Sequence, residues 1–217
     1  WVKIHKVNVK SSEIVFDTEK KYYLVESSSN FFVGKDANNK AKLYSDFRTA
    51  NPFKVSIDEE TGCHTFQTED LYLYAGWWDA ETSSTKCVWS VEDVDAEGYF
   101  SLHFTGDANN SKRQTGFLGT TSATNGQQLY SNQTHYQGKT MRFRLVEEDQ
   151  VQNVTYKFKD DSGKLLATKT LTAIGTYPDA SMFLKVPSDA VTMQGAPTGN
   201  VNPEKSEYEI TVSYNSN

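Results

Sequence analysis

Apolar and polar residues alternate in short runs along most of this chain. "KYYLVES" (21–27), "NPFKVSI" (51–57), "CHTFQ" (63–67), "DLYLYAG" (70–76), "VWSVE" (88–92), "YFSLHF" (99–104) and "RFRLVEE" (142–148) all show the pattern. Period-two alternation gathers one set of side chains on one face of a strand. Gly, Asn, Asp and Ser clusters bound the runs, and no stretch keeps apolar residues at i, i+3, i+4 and i+7 over successive turns. The pattern therefore predicts an all-β chain of many short strands and no long helix.

A repeat lies beneath the alternation. "FFVGKDA" (31–37), "YAGWWDA" (74–80) and "FLGTTSA" (117–123) each carry an aromatic residue, an apolar residue and a glycine, and Gly34, Gly76 and Gly119 are spaced by 42 and 43 residues. After each copy comes a variable loop and then a strand opening on an aromatic residue: "FKVSI" at Phe53, "WSVED" at Trp89, "FRLVE" at Phe143. The first two copies continue through acidic turns ending in glycine, "DEETG" and "DVDAEG". Three units of about forty residues point to a repeated supersecondary element.

This pattern resembles the β-trefoil, the threefold barrel of ricin-type lectins, over roughly residues 15–148. It departs from the ricin type, which has a Gln-x-Trp triplet in each repeat. The matching triplets here are Asn51-Pro52-Phe53, Cys87-Val88-Trp89 and Met141-Arg142-Phe143, which keep the aromatic residue and lack the glutamine. Beyond residue 149 the texture changes. "VTYKFKDDSGKLLATKTL" reads as strand, "DDSGK" turn and strand, and "SEYEITVSY" as a closing strand. Over roughly 151–217 this order is similar to the small β-grasp-like modules of mucin-binding-protein repeats. The expected architecture is a β-trefoil-like domain at 1–149 followed by a β-grasp-like module at 150–217.

Charge and composition narrow the function. The net charge of −6 and a pI of about 5.3 oppose binding to a nucleic-acid backbone, which calls for a basic stripe. No apolar run is long enough for a membrane span, so no membrane insertion is expected. The chain opens "WVKIHKV" without an initiator Met, which reads as a processed product or a piece of a longer protein. Its two cysteines, Cys63 and Cys87, are too few for a structural zinc site. They are either a disulfide or two buried thiols.

The adjacent indoles of Trp77 and Trp78 are the sharpest feature. Aligned on glycine, they match Lys35 and Asp36 in the first copy and Thr120 and Thr121 in the third. Polar residues at both positions elsewhere imply a solvent-facing site that only the second copy fills with aromatics, the mark of a contact surface. The competing reading has one indole tucked beneath a neighbouring loop or module. An indole face suits the C–H face of a pyranose, and Asp79 next to it can accept from sugar hydroxyls, unless it serves only as a turn-former. In the third copy Asn125, Gln127, Gln128, Tyr130, Asn132 and Tyr136 supply amides and phenols of the kind that line saccharide grooves, or that simply face water. The first copy offers Asp36, Asn38 and Tyr44. The expected carbohydrate-binding set is Trp77, Trp78, Asp79, Gln128, Tyr130 and Asn132.

Other chemistry is not indicated. "DVDAEG" (Asp93, Asp95, Glu97, Gly98) imitates the start of a calcium loop, but its twelfth position is Phe104 where a bidentate Glu is needed, so it reads as a hairpin connection. The glycosylation sequons at Asn109, Asn132 and Asn153 are as many as chance gives. His5, His64, His103 and His135 form no HExxH spacing, and there is neither a GxSxG elbow nor a glycine-rich phosphate loop. The sequence thus leads to a non-catalytic, cofactor-free, metal-free, lectin-like segment of a larger secreted or cell-surface bacterial protein, with a glycan or polysaccharide as partner. The alternative is a spacer or docking segment that contacts neighbouring domains of a multidomain parent.

Overall fold

The structure, a computed structural model, describes residues 12–106, 114–134, 140–185 and 190–215. The chain divides into two compact units, Trp1–Leu145 and Val146–Asn217. Both are built of strands, and helix among the described residues is limited to short 3-10 turns at Phe47–Thr49, Glu148–Gln150 and Ala180–Phe183. The all-β expectation therefore holds. The first unit contains β1 (Lys21–Glu26), β2 (Phe32–Lys35), β3 (Ala41–Tyr44), β4 (Phe53–Ile57), β5 (His64–Thr68), β6 (Leu71–Ala75), β7 (Ala80–Ser83), β8 (Ser90–Glu92), β9 (Ser101–Phe104), β10 (Gly116–Gly119), β11 (Tyr130–Gln133) and β12 (Phe143–Glu147).

Six of these strands make a nearly closed, barrel-like sheet. β1 pairs β4, β4 pairs β5, and His64 of β5 exchanges both backbone hydrogen bonds with Trp89 at the head of β8. β8 pairs β9, Phe100 bonds Phe143 in the same reciprocal way, and β12 returns to β1. The aromatic residues at the heads of the three repeated strands, Phe53, Trp89 and Phe143, are fully buried in one core with Leu24, Phe66, Leu73 and Leu102. Burial of an indole requires a partner for its N–H, and Trp89 Nε1 donates to the Leu73 carbonyl at 3.0 Å. The two acidic turns are hairpin connections, as the sequence implies. Gly62 N–H donates to Asp58 O, Gly98 N–H donates to Asp95 O, and both glycines have positive φ (72° and 85°), which a glycine adopts at no steric cost.

The other six strands form three hairpins, β2–β3, β6–β7 and β10–β11. Each hairpin bridges to both of the others: Lys40 to Glu81, Asp79 to Tyr130, and Lys42 to Gln128. These pairs flank three fully buried residues, Ala41, Ala80 and Leu129, whose backbones are joined directly. Leu129 N–H donates to Ala41 O at 2.9 Å, and Ala80 N–H to Leu129 O at 3.0 Å.

The second unit holds β13 (Val151–Lys159), β14 (Leu165–Ile174), β15 (Val191–Gln194) and β16 (Glu207–Tyr214), in the spatial order β14-β13-β16-β15. β13 and β16 run parallel, and the outer pairs are antiparallel. The "DDSGK" turn joins β13 to β14, with Asp160 Oδ1 accepting from the backbone N–H of Ser162 and Lys164. Alternate residues of β13 and β16, among them Val154, Tyr156, Phe158, Tyr208 and Ile210, supply a separate core.

Cys63 and Cys87 are both free and buried, which decides between disulfide and thiols in favour of thiols. Burial pushes the Cys63 thiol pKa up, and Cys87 Sγ accepts from Ala75 N–H at 3.5 Å.

His64, 1 % exposed at a barrel junction, gives the fold a pH dependence. Burial pushes its pKa from 6.5 to about 4. Between those values the unfolded chain binds a proton that the native chain excludes. The histidine's contribution is therefore fully present above pH 6.5 and is lost as pH falls, by about 2–3 kcal/mol. Urea midpoints measured at pH 7 and pH 4 should differ by less in His64→Gln than in the parent. An unchanged difference would contradict the assignment.

Candidate functional site

The site begins with a chain reversal. Ala75 pairs Ala80, and Gly76 N–H donates to Asp79 O at 2.8 Å, so the β6–β7 hairpin turns within Trp77 and Trp78. The glycine is needed for close approach. A Cβ at position 76 would lie 2.7 Å from the Asp79 carbonyl oxygen and 3.0 Å from the Glu81 carboxylate. Both indoles project outward from this turn, 55 % and 52 % exposed. Their rings meet edge to face, with centroids 6.4 Å apart and planes at 86°. Such a contact is worth about 0.5–1.5 kcal/mol and holds the pair as a unit.

The exposure expected from the repeat is observed, but its basis changes. In the first hairpin Gly34 pairs Lys42, and in the third Gly119 pairs Tyr130, so both loops are longer. Lys35 still belongs to β2 and pairs Ala41. The three copies thus correspond at the glycine and diverge after it, and the tryptophans stand in the shortest turn of the three.

The third hairpin fixes this turn from the side. Ser131 N–H donates to the Trp78 carbonyl at 2.8 Å, and Ser131 Oγ lies 3.3 Å from the Trp78 and Asp79 carbonyl oxygens. Gln114 N–H reaches the Trp77 carbonyl at 3.4 Å, while the Gln114 side chain accepts from Asn132 Nδ2 at 2.8 Å. The bridge between Asp79 and Tyr130 completes the seam. Five of the six expected site residues, Trp77, Trp78, Asp79, Tyr130 and Asn132, are therefore brought together from two hairpins.

Gln128 has a different role. Its Nε2 lies 3.1 Å from Ala41 O, 3.1 Å from Ala80 O and 2.6 Å from Leu129 O, one carbonyl from each hairpin. These contacts use the amide donors where the hairpins meet, so Gln128 does not supply them to a ligand. Other polar residues of the third loop are likewise engaged. Asn125 Oδ1 accepts from Ser45 N–H at 2.9 Å, and Gln127 Nε2 donates to the Gln128 carbonyl at 3.2 Å. In the first hairpin Asp36 caps its own turn, accepting from Asn38 and Lys40 N–H, and pairs Lys42 at 3.1 Å. Tyr136 and the sequon at Asn109 lie outside the described residues.

Lys40, Ser131 and Gln114 contact the same turn and were not legible from sequence. The Lys40 ammonium sits 2.7 Å from Glu81 and 3.3 Å from Asp79. Its pKa is raised, chiefly by the hydrogen bond to Glu81, with burial opposing and Asp79 adding a smaller upward share. Among the described residues no group of three or more His, Cys, Asp or Glu side chains could hold a metal ion. Also among them, no helix is long and apolar enough to cross a membrane.

No family model and no curated protein matches the chain. Among solved structures, one described as "SeviL bound to asialo-GM1 saccharide" is similar at 13 % identity and a TM-score of 0.45. That match covers 59 % of this chain and 98 % of the other.

The contrast between core and surface indoles is measurable. Trp89→Ala should cost about 3–5 kcal/mol in urea unfolding, as expected for an aromatic deleted from a packed core. Trp77→Ala and Trp78→Ala should each cost no more than about 1.5 kcal/mol. A loss at Trp77 or Trp78 comparable to that at Trp89 would place that indole in the core.

Proposed function

We propose that the first unit is a threefold β-trefoil and acts as a non-catalytic carbohydrate-binding module, with Trp77 and Trp78 as its stacking platform. The observation that carries the reading is a pair of half-exposed, edge-to-face indoles on a turn whose carbonyls are held from a second hairpin. Exposing this much aromatic surface is costly unless something covers it. A pyranose C–H face is a suitable cover, because polar residues adjoin the platform: Asp79 follows Trp78 in the turn, and Tyr130, which bridges Asp79, and Asn132 lie on β11. A protein-docking patch also has a polar rim, but it surrounds a broad apolar core, whereas the exposed large apolar side chains on this turn are the two indoles, so the sugar reading is favoured over the docking reading.

The strand pairings support the trefoil assignment. Six strands link in a ring, three hairpins bridge one another cyclically, and the buried aromatic recurs at Phe53, Trp89 and Phe143. For the second unit we propose a β-grasp-like module similar to mucin-binding-protein repeats. The strand order β14-β13-β16-β15 with its central parallel pair supports this, and the 3-10 turn at Ala180–Phe183 stands where such folds place a helix. In this reading the second unit is a spacer, and the chain is a segment of a larger secreted or cell-surface bacterial protein whose catalytic domain, if it has one, lies elsewhere.

The test is a glycan array followed by fluorescence titration. A shallow aromatic platform should bind its best saccharide with Kd of roughly 10 μM to 1 mM, or about −7 to −4 kcal/mol. Trp77→Ala and Trp78→Ala should abolish the signal while the melting temperature stays within a few degrees of the parent. No response to any saccharide, with tight binding to a neighbouring domain of the parent protein, would replace this reading with docking.

A further inference from the structure

Beside the indole turn stands a group from a different hairpin that the stacking argument does not use. Lys40, at the end of the β2–β3 turn, reaches across to β7 and its preceding residue. Its ammonium has three N–H donors. One goes to Glu81 at 2.7 Å, a second faces Asp79 at the longer distance of 3.3 Å, and the side chain is 36 % exposed. The Asp79 carboxylate, 27 % exposed, meets this ammonium through Oδ2. An acceptor and a donor with spare capacity thus lie side by side, next in sequence to Trp78.

The unequal distances matter. Glu81 holds the ammonium firmly, so Lys40 stays in place and charged when Asp79 takes a new partner. The looser Asp79 contact can open to admit a hydroxyl that donates to the carboxylate. A neighbouring hydroxyl can at the same time accept from the ammonium. Charge-assisted hydrogen bonds of this kind are shorter and roughly twice as strong as neutral ones. Two oxygens on adjacent pyranose carbons are separated by roughly one hydrogen-bond length, close to the spacing of the Lys40 and Asp79 groups.

We infer that Lys40 and Asp79 form a donor–acceptor pair that selects a saccharide presenting a vicinal diol next to the face stacked on one indole of the Trp77–Trp78 pair. Lys40 is a specificity-determining residue contributed by the first hairpin to a platform carried by the second. The inference rests on the carbohydrate reading of the platform and goes further by naming the feature of the sugar that is recognised. It makes the site composite: removing a side chain of the first copy changes recognition at the second.

The experiment is fluorescence titration of the full chain with methyl glycosides of glucose, galactose, mannose and N-acetylglucosamine, and with their oligosaccharides. The best binder is then compared with its singly deoxygenated analogues. Lys40→Met, which keeps the length of the side chain and drops its charge, and Asp79→Asn should each weaken binding tenfold or more. Because exposed ion pairs contribute little to folding, the melting temperature of Lys40→Met should hardly change. In the parent, removing either hydroxyl of one adjacent pair should cost a similar factor. In Lys40→Met, the deoxy analogue lacking the hydroxyl that met the ammonium should bind as well as the intact sugar. If Trp77→Ala abolishes binding while Lys40→Met leaves affinity and deoxy discrimination intact, the Lys40 assignment is wrong and the platform stands. If no saccharide binds the parent, the carbohydrate reading fails and this inference fails with it.

Discussion

The candidate site depends on the backbone bonds that tie three hairpins together. A two-stranded hairpin is at best marginally stable alone. Here each one is held by bridges to both of the others, around Ala41, Ala80 and Leu129. The small side chains at two of these three positions let the backbones come within hydrogen-bond distance, and the Gln128 amide spans all three carbonyls. A buried carbonyl with no partner is costly, so this junction is satisfied from within and excludes water from the point where the hairpins meet. The turn carrying Trp77 and Trp78 is fixed because its neighbours are fixed.

That arrangement explains how an exposed aromatic pair can be ordered. The turn takes its shape from Gly76 and the Gly76–Asp79 bond, and its orientation from Ser131 and Gln114. Its polar surroundings come from Tyr130 and Asn132 on one side and Lys40 on the other. A platform held in this way loses little conformational freedom when a ligand stacks on it, which is the main advantage open to a shallow site. In the proposed reading, recognition is distributed over three hairpins, although both indoles belong to one.

Much of the framework was legible in the sequence because it is local. Alternation located the strands, the "DDSGK" and acidic glycine turns marked hairpins, and the recurrent aromatic at Phe53, Trp89 and Phe143 marked the core. The exposure of Trp77 and Trp78 also followed, though the loops that were aligned to infer it differ in length. What escaped was set by distant partners. Gln128 looked like one more amide in a polar loop, yet its contacts reach residues 48 and 87 positions away. Lys40, Ser131 and Gln114 have nothing distinctive around them in sequence, and each acquires its role only when the hairpins are brought side by side.

The central claim is that one seam between the second and third hairpins, with Lys40 at its edge, forms a single binding surface. The most direct measurement is a two-dimensional NMR titration of the labelled chain with its best saccharide ligand. The account predicts shifts confined to the indole N–H signals of Trp77 and Trp78 and to the backbone amides around Asp79, Tyr130, Ser131 and Asn132, with the Trp89 indole unmoved. Shifts centred elsewhere in the first unit, or in the second unit, with the Trp77 and Trp78 indoles unchanged, would contradict it.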